Sequence, residues 1–289
     1  MLKRVPEQHY FLGYLTANDD PTFFFDYLNI KNIARYHPGV ASIHVCISVS
    51  LVRKINDTDV IRIKQLKKAL LKASHVADVN IIYKNNIGRD FSSAQKCLEY
   101  FSKFCTENDY VMIRNRSGYG PFSDDWYKAF IKANQKLEEG GLTGSTINQA
   151  GLHNNEVKGI QTHIQTYVYI SRWKYFRPLV DEYPGSKGQS KNDVIINGEI
   201  ELSRSFLDRG LALNCLEWRS YVFTSKRYSY SELPDRDIKK RTTTDLPIRF
   251  RYRRYLYRFR SIIDGIRWDF SEYYRLVFVK KFNHMREKL

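Results

Sequence analysis

Two rhythms of apolar and polar positions alternate along the first two thirds of the chain. Short β-branched and aromatic runs, of the kind that form buried strands, occupy 10–17 (YFLGYLTA), 41–52 (ASIHVCISVSLV), 79–84 (VNIIYK), 109–115 (DYVMIRN) and 141–147 (GLTGSTI). Between them lie stretches with apolar residues three or four apart: 21–36 after Pro21, 57–74, 90–104 and 123–139. Strand and helix in regular alternation predict an α/β domain, Rossmann-like, with a mostly parallel central sheet flanked by helices. Ligands of such sheets bind beyond the carboxyl ends of the strands, which places 86–90 and 114–121 at the expected site.

Beyond residue 148 the pattern loosens. A strand is expected over 162–172, a helix over 172–183, a Gly/Ser/Lys loop over 184–193, a helix over 194–210 ended by Gly210, and a strand over 211–218. These boundaries predict a catalytic domain over 1–225, a polar linker over 226–247 and a basic amphipathic helical region over 248–289. In that last region Leu256, Phe259, Ile263, Ile266, Phe270, Tyr273 and Val277 recur at helical spacing, and Arg254, Arg258 and Arg260 flank them.

Composition changes the picture in one respect. Of a net charge of +16, the last 51 residues carry 15 Lys/Arg against 5 Asp/Glu, a net of +10. The partner expected of that excess is an anionic membrane surface, met by the tail, with a dimer contact or packing on the catalytic domain as alternatives. The four cysteines show no CxxC spacing and fit reduced thiols. No apolar run reaches the roughly 18–20 residues of a spanning helix, and the first residues lack a signal-peptide layout, so a cytoplasmic protein is expected.

Phosphate-binding Walker loops, GxGxxG, HExxH and zinc-ligand spacings are absent. The single Asp-x-Asp, Asp57-Thr58-Asp59, opens a helix and reads as a cap. In Asn86-Ile87-Gly88-Arg89-Asp90, Gly88 permits a tight turn, Arg89 suits a phosphate, and Asp90 suits either a helix cap or a base or ribose. In Gly198-Glu199-Ile200-Glu201 the two carboxylates cannot share a helix face, so at most one need enter a cleft.

The order of these motifs resembles bacterial polysaccharide glycosyltransferases of the GT-A type, related to glycosyltransferase family 2. It is similar in particular to rhamnan-synthesis-like transferases with the pattern N-x-G-x-D-F, L-N-S-S-x-x-G-P-F, G-T-S-I-N, H-x-Q-S and G-E-x-x-L-S. Here these positions hold 86–91, 114–122, 144–148, 163–166 and 198–203. The resemblance spans roughly residues 10–218 and implies sugar transfer, with inversion, from a nucleoside diphosphate sugar, a UDP-sugar in the first instance. The acceptor implied is a glycan or a lipid-linked glycan of bacterial surface polysaccharide (O-antigen or capsule) synthesis. It implies a base at Glu199, with Glu201 second, donor and diphosphate contacts from Asn86, Gly88, Arg89, Asp90, Arg114, Asn115, Arg116 and Ser117, and acceptor or sugar contacts from Asn148, His163 and Gln165.

The sequence departs from that pattern where a metal-binding Asp-x-Asp would follow the fourth strand: Arg114-Asn115-Arg116-Ser117 stands there. No metal ligands are assigned. One or both arginines are expected to replace the cation, since guanidinium makes paired hydrogen bonds to phosphate. The alternatives are surface charges or pairs with Asp90, Asp124 or Asp125, and manganese or magnesium stays open as a cofactor. A homo-oligomer is left open, and nucleic acid is not an expected partner. The rival functions are a basic nucleic-acid-binding protein, from the Arg/aromatic tail, and an inactive sugar-binding subunit of a polysaccharide assembly complex.

Overall fold

The computed structural model describes residues 8–148, 162–216, 222–225 and 251–252. In chain order the elements are β1 (Tyr10–Ala17), α1 (Phe24–Arg35), β2 (Ile43–Leu51), α2 (Asp57–Leu71), β3 (Val76–Asn85), α3 (Arg89–Phe101), β4 (Tyr110–Asn115) and β5 (Gly118–Tyr119). They continue with α4 (Trp126–Asn134), β6 (Gly141–Gly144), β7 (Ile147–Asn148), β8 (His163–Ile164), β9 (Val168–Arg172) and α5 (Trp173–Phe176). The last are α6 (Lys191–Val194), a π-helical turn (Ile195–Ile200), α7 (Glu201–Leu207), β10 (Ala212–Cys215) and β11 (Arg251–Tyr252).

Seven strands form one sheet in the order β10-β6-β9-β4-β1-β2-β3. β1 is parallel to both β2 and β4, β2 to β3, and β10 to β6. Only β9 runs against its neighbours β4 and β6. The fold class is therefore the expected one: α/β around a mostly parallel sheet.

Successive residues of a strand face opposite sides, and both sides are covered here. Leu12, Val45 and Met112 pack with Ile30 and Ile33 of α1, Leu66 and Leu70 of α2 and Phe130 of α4. Phe11, Cys46, Val111 and Ile113 pack on the other side with Phe91, Cys97 and Phe101 of α3, Phe176 of α5 and Phe206 of α7. Each fully buried Phe or Leu side chain contributes about 1.5–3 kcal/mol, so burial on two faces explains why these strands read as near-continuous apolar runs.

Several boundaries differ from the periodic reading. α1 starts at Phe24 rather than at Pro21. α2 is capped by Asn56, whose side chain accepts from the Asp59 amide while Asp59 accepts from the Asn56 amide, so the Asp-x-Asp lies inside a capping box. The strand expected over 141–147 divides into β6 and β7, and that over 162–172 into β8 and β9. The helix expected over 172–183 ends early, because Pro178 restricts it to four α-helical residues followed by a 3₁₀ turn. The 194–210 segment is helical but carries the π-helical turn at 195–200, where Gly198 sits against the Phe91 ring. Most of the 248–289 region and all of the 226–247 linker lie outside the described residues. β11 is described, and it pairs antiparallel with β5, Arg251 opposite Tyr119.

Candidate active site

Because β1 to β4 are parallel, the chain leaves all four at one edge of the sheet, and the charged residues of that edge converge. Asn115, the last residue of β4, donates from Nδ2 to Asp90 Oδ2 at 2.9 Å and accepts the Ser117 amide at Oδ1, also 2.9 Å. Arg116, one residue beyond the strand, pairs with Asp19 in the loop after β1 and donates to the Ala17 carbonyl at 3.3 Å. Burial works to lower the pKa of Arg116, but the bond to Asp19 and the charges of Asp26 and Asp90 hold it above the ordinary value. Burial raises the Asp90 carboxyl above its usual range; Arg116, Asn115 and Lys84 oppose the shift, and the charge of Glu199 adds to it.

Glu199 reaches this edge from the π-helical turn. Its side chain is 31% exposed, with Oε2 3.4 Å from His163 Nε2 on β8 and Oε1 accepting from the Thr166 hydroxyl at 3.3 Å. The Ser203 hydroxyl accepts the Ile164 amide at 2.9 Å, which ties β8 to α7 and fixes His163 relative to Glu199. Two side chains hold this half-buried carboxylate, and its remaining side is open to solvent. π-Helical turns recur at functional sites because they re-aim a side chain within a helix. Glu201, two residues on, is exposed at the start of α7.

The remaining expected residues divide. Asn86 is exposed and its carbonyl accepts the Arg89 amide. Gly88 caps α3 with a φ of 68°; a Cβ there would lie 2.0 Å from the Ser186 carbonyl oxygen, so the bare backbone serves contact with the 185–188 loop. Asp90 is consequently not the helix cap but a first-turn residue turned toward Asn115. Arg89 is exposed, with a left-handed φ of 46°. Asn148 pairs with His163 across the β7–β8 ladder, whereas Gln165 is bonded to the Thr146 hydroxyl at 2.8 Å.

Arg114 does not join the site. It is 0% exposed, donates to the carbonyls of Gly118 and Gly120, and stacks 5.3 Å from the Tyr14 ring centroid. Burial lowers its pKa to about 10. β4 ends at Asn115, so strand alternation does not govern Arg116, whose partners Asp19 and the Ala17 carbonyl differ from those of Arg114. Of the two arginines expected to stand in for a cation, Arg116 alone lies with this cluster, among the charges of Asp19, Asp26 and Asp90. Among the described residues no group of three or more His, Cys, Asp or Glu side chains is disposed to hold a metal ion.

Three contributors had no signal in the sequence reading: Asp19 and Lys84, which follow or end strands, and Thr166, which occupies the last position of the H-x-Q-S motif. A cleft of about 500 Å³ lies between 182–189 and the side chains of Asp193 and Asn197, and shares no residue with the cluster around Asp90 and Glu199.

No family model matches the chain, and no curated protein matches it. Similar solved structures include the galactosyltransferase LgtC in complex with donor and acceptor sugar analogs, at 13% identity over 83% of this chain and 85% of that one, with a TM-score of 0.46. Mouse xyloside xylosyltransferase 1 is similar at 9% identity over 86% and 98%, with a TM-score of 0.44. A nucleoside-diphosphate-sugar pyrophosphorylase from Vibrio cholerae is similar at 13% identity over 71% and 90%, with a TM-score of 0.42.

Proposed function

We propose that the protein is a GT-A-type glycosyltransferase that moves a sugar from a nucleoside diphosphate sugar to an acceptor hydroxyl with inversion. The observation that carries this reading is Glu199, held by His163 and Thr166 at the edge where Asp90, Asn115 and Arg116 converge. Glu199 takes the acceptor's proton as its oxygen attacks the anomeric carbon. The bond from that carbon to the diphosphate oxygen breaks on the opposite side, and the electron pair leaves with the diphosphate. Arg89 and Arg116 face the leaving charge, and stabilising it as the bond breaks raises the rate rather than affinity alone. His163 and Thr166 orient the carboxylate. A glycan or lipid-linked acceptor of surface polysaccharide synthesis, presented at the inner membrane face, fits the motif order and the basic tail.

Glu199→Gln keeps the shape of the site and removes the base. It should lower turnover roughly 100-fold or more while leaving donor affinity intact, measured after a thermal-shift screen has identified the nucleotide sugar. If Glu201→Gln abolishes turnover and Glu199→Gln does not, the base is misassigned by two residues. If no nucleotide sugar is bound or turned over, the glycosyltransferase reading fails.

A further inference from the structure

Lys84, the penultimate residue of β3, is a buried cation that the reaction above does not use. It is 9% exposed. Its Nζ donates to the carbonyls of Asn85, at 2.6 Å, and Ile87, at 3.1 Å. An ammonium has three protons, and among the described residues the third has no hydrogen-bond partner and no carboxylate within ion-pair distance. Asp90 attracts it only through space. Buried charges are normally paired, so this site is electrically incomplete.

The two carbonyls belong to the turn that presents Arg89 and Asp90. That turn is pinned from several sides: Gly88 N–H donates to the Gly188 carbonyl at 3.0 Å, and the Ser92 hydroxyl donates to the Ile87 carbonyl. The pinning holds two successive left-handed residues, Gly88 and Arg89. The exposed Arg89 side chain and the buried Lys84 ammonium thus bracket the Asn85–Asp90 turn.

We propose that Lys84 is an anion-binding residue whose free ammonium proton, with Arg89, receives a phosphate group of the ligand seated at the Asn85–Asp90 turn. The inference rests on the donor reading for the identity of that phosphate, which is the diphosphate of the nucleotide sugar.

A proton signature follows. Burial pushes the Lys84 pKa down to about 8, with Asp90 opposing the shift and Lys96 on α3 adding to it. Asp90 and Lys96 are the charged groups that face it; the β2 residue beside it in register, Ser50, is neutral and bonded to Ser93. Bound phosphate favours the ammonium and raises that pKa. Below pH 8 the proton is already present. Above it, binding must take the proton up, so affinity falls as pH rises through 8.

The test is calorimetric titration of the full chain with UDP and with inorganic pyrophosphate, at pH 7 and pH 9, in two buffers of different ionisation enthalpy. Wild type should bind about tenfold more weakly at pH 9 and take up close to one proton per ligand there. Lys84→Met should bind weakly at both pH values with no proton uptake. Lys84→Arg, which keeps the charge and does not titrate, should show pH-independent affinity and no uptake, and it decides the matter if Lys84→Met does not fold. UDP binding without proton uptake, or wild-type behaviour in Lys84→Arg, overturns the assignment while the donor reading stands. Binding of neither probe also overturns it. Pyrophosphate loses a proton of its own in this range, so proton-linked pyrophosphate binding that is lost in Lys84→Arg, in a protein that turns over no nucleotide sugar, supports the site and removes the donor reading.

Discussion

Asp26 is a first-turn residue of α1 that lies 1% exposed beneath Arg116. Its Oδ1 accepts from the Tyr14 hydroxyl at 2.9 Å, while its Oδ2 and the neighbouring Thr16 hydroxyl lack hydrogen-bond partners among the described residues. Burial drives the carboxyl up to about 6, against the charge of Arg116 and the Tyr14 hydrogen bond, which favour the charged form. A carboxyl whose pKa is higher folded than unfolded stabilises the fold fully below the unfolded value, near 4. That contribution is lost as pH rises to about 6. Asp26→Asn removes the titration and can donate to the Thr16 hydroxyl. Its melting temperature should exceed that of wild type at pH 7, by the equivalent of about 3 kcal/mol, and the difference should vanish near pH 4. A variant less stable than wild type at pH 7 would show that Arg116 depends on the Asp26 charge. None of this was legible in the sequence, where Asp26 is one polar residue within an apolar helix start. Arg114 was misread for the related reason that a buried arginine looks like a surface arginine until the strand that carries it is seen to be covered on both faces.

Among the elements, strands were the most legible, because β1, β2 and β4 are buried on both sides and leave little room for polar residues. The direction of β9 was not legible, since periodicity encodes which face a residue takes but not which way a strand runs. Nor was the π-helical turn, whose cause is tertiary: Gly198 approaches both the Phe91 ring and Gly185. The glycines separate these effects experimentally. Gly88 and Gly210 share a left-handed backbone, with φ of 68° and 74°. A Cβ at Gly88 would lie 2.0 Å from the backbone of Ser186, while one at Gly210 would meet nothing within 4 Å. Gly210→Ala should therefore cost only the backbone strain, about 1 kcal/mol. Gly88→Ala must also displace the 185–188 loop and should cost about 3 kcal/mol or more, roughly 6–12 °C in thermal melting. Equal losses in the two variants would mean that the loop yields without cost.

At the scale of the whole molecule the charge is unevenly placed, +10 of the net +16 falling in the last 51 residues, and a membrane role would rest on that stretch. No helix among the described residues is long and apolar enough to cross a membrane. Adsorption of the basic 248–289 region is the mode of attachment we propose, and it would depend on arginines beside apolar residues. Removing the whole tail is a poor test, because β11 pairs with β5 next to the Gly118 carbonyl that accepts from Arg114, and truncation would disturb both. Replacing Arg254, Arg258 and Arg260 together with glutamine leaves β11 in the chain. Each basic residue near an anionic surface contributes about 1 kcal/mol, so the triple variant should bind phosphatidylglycerol-containing vesicles on the order of 100-fold more weakly. Wild-type binding should itself weaken as salt rises, since screening shortens the reach of the surface potential. Donor affinity measured in parallel separates a loss of membrane contact from a general loss of structure. Vesicle binding that survives both the triple substitution and high salt would remove the membrane from the list of partners.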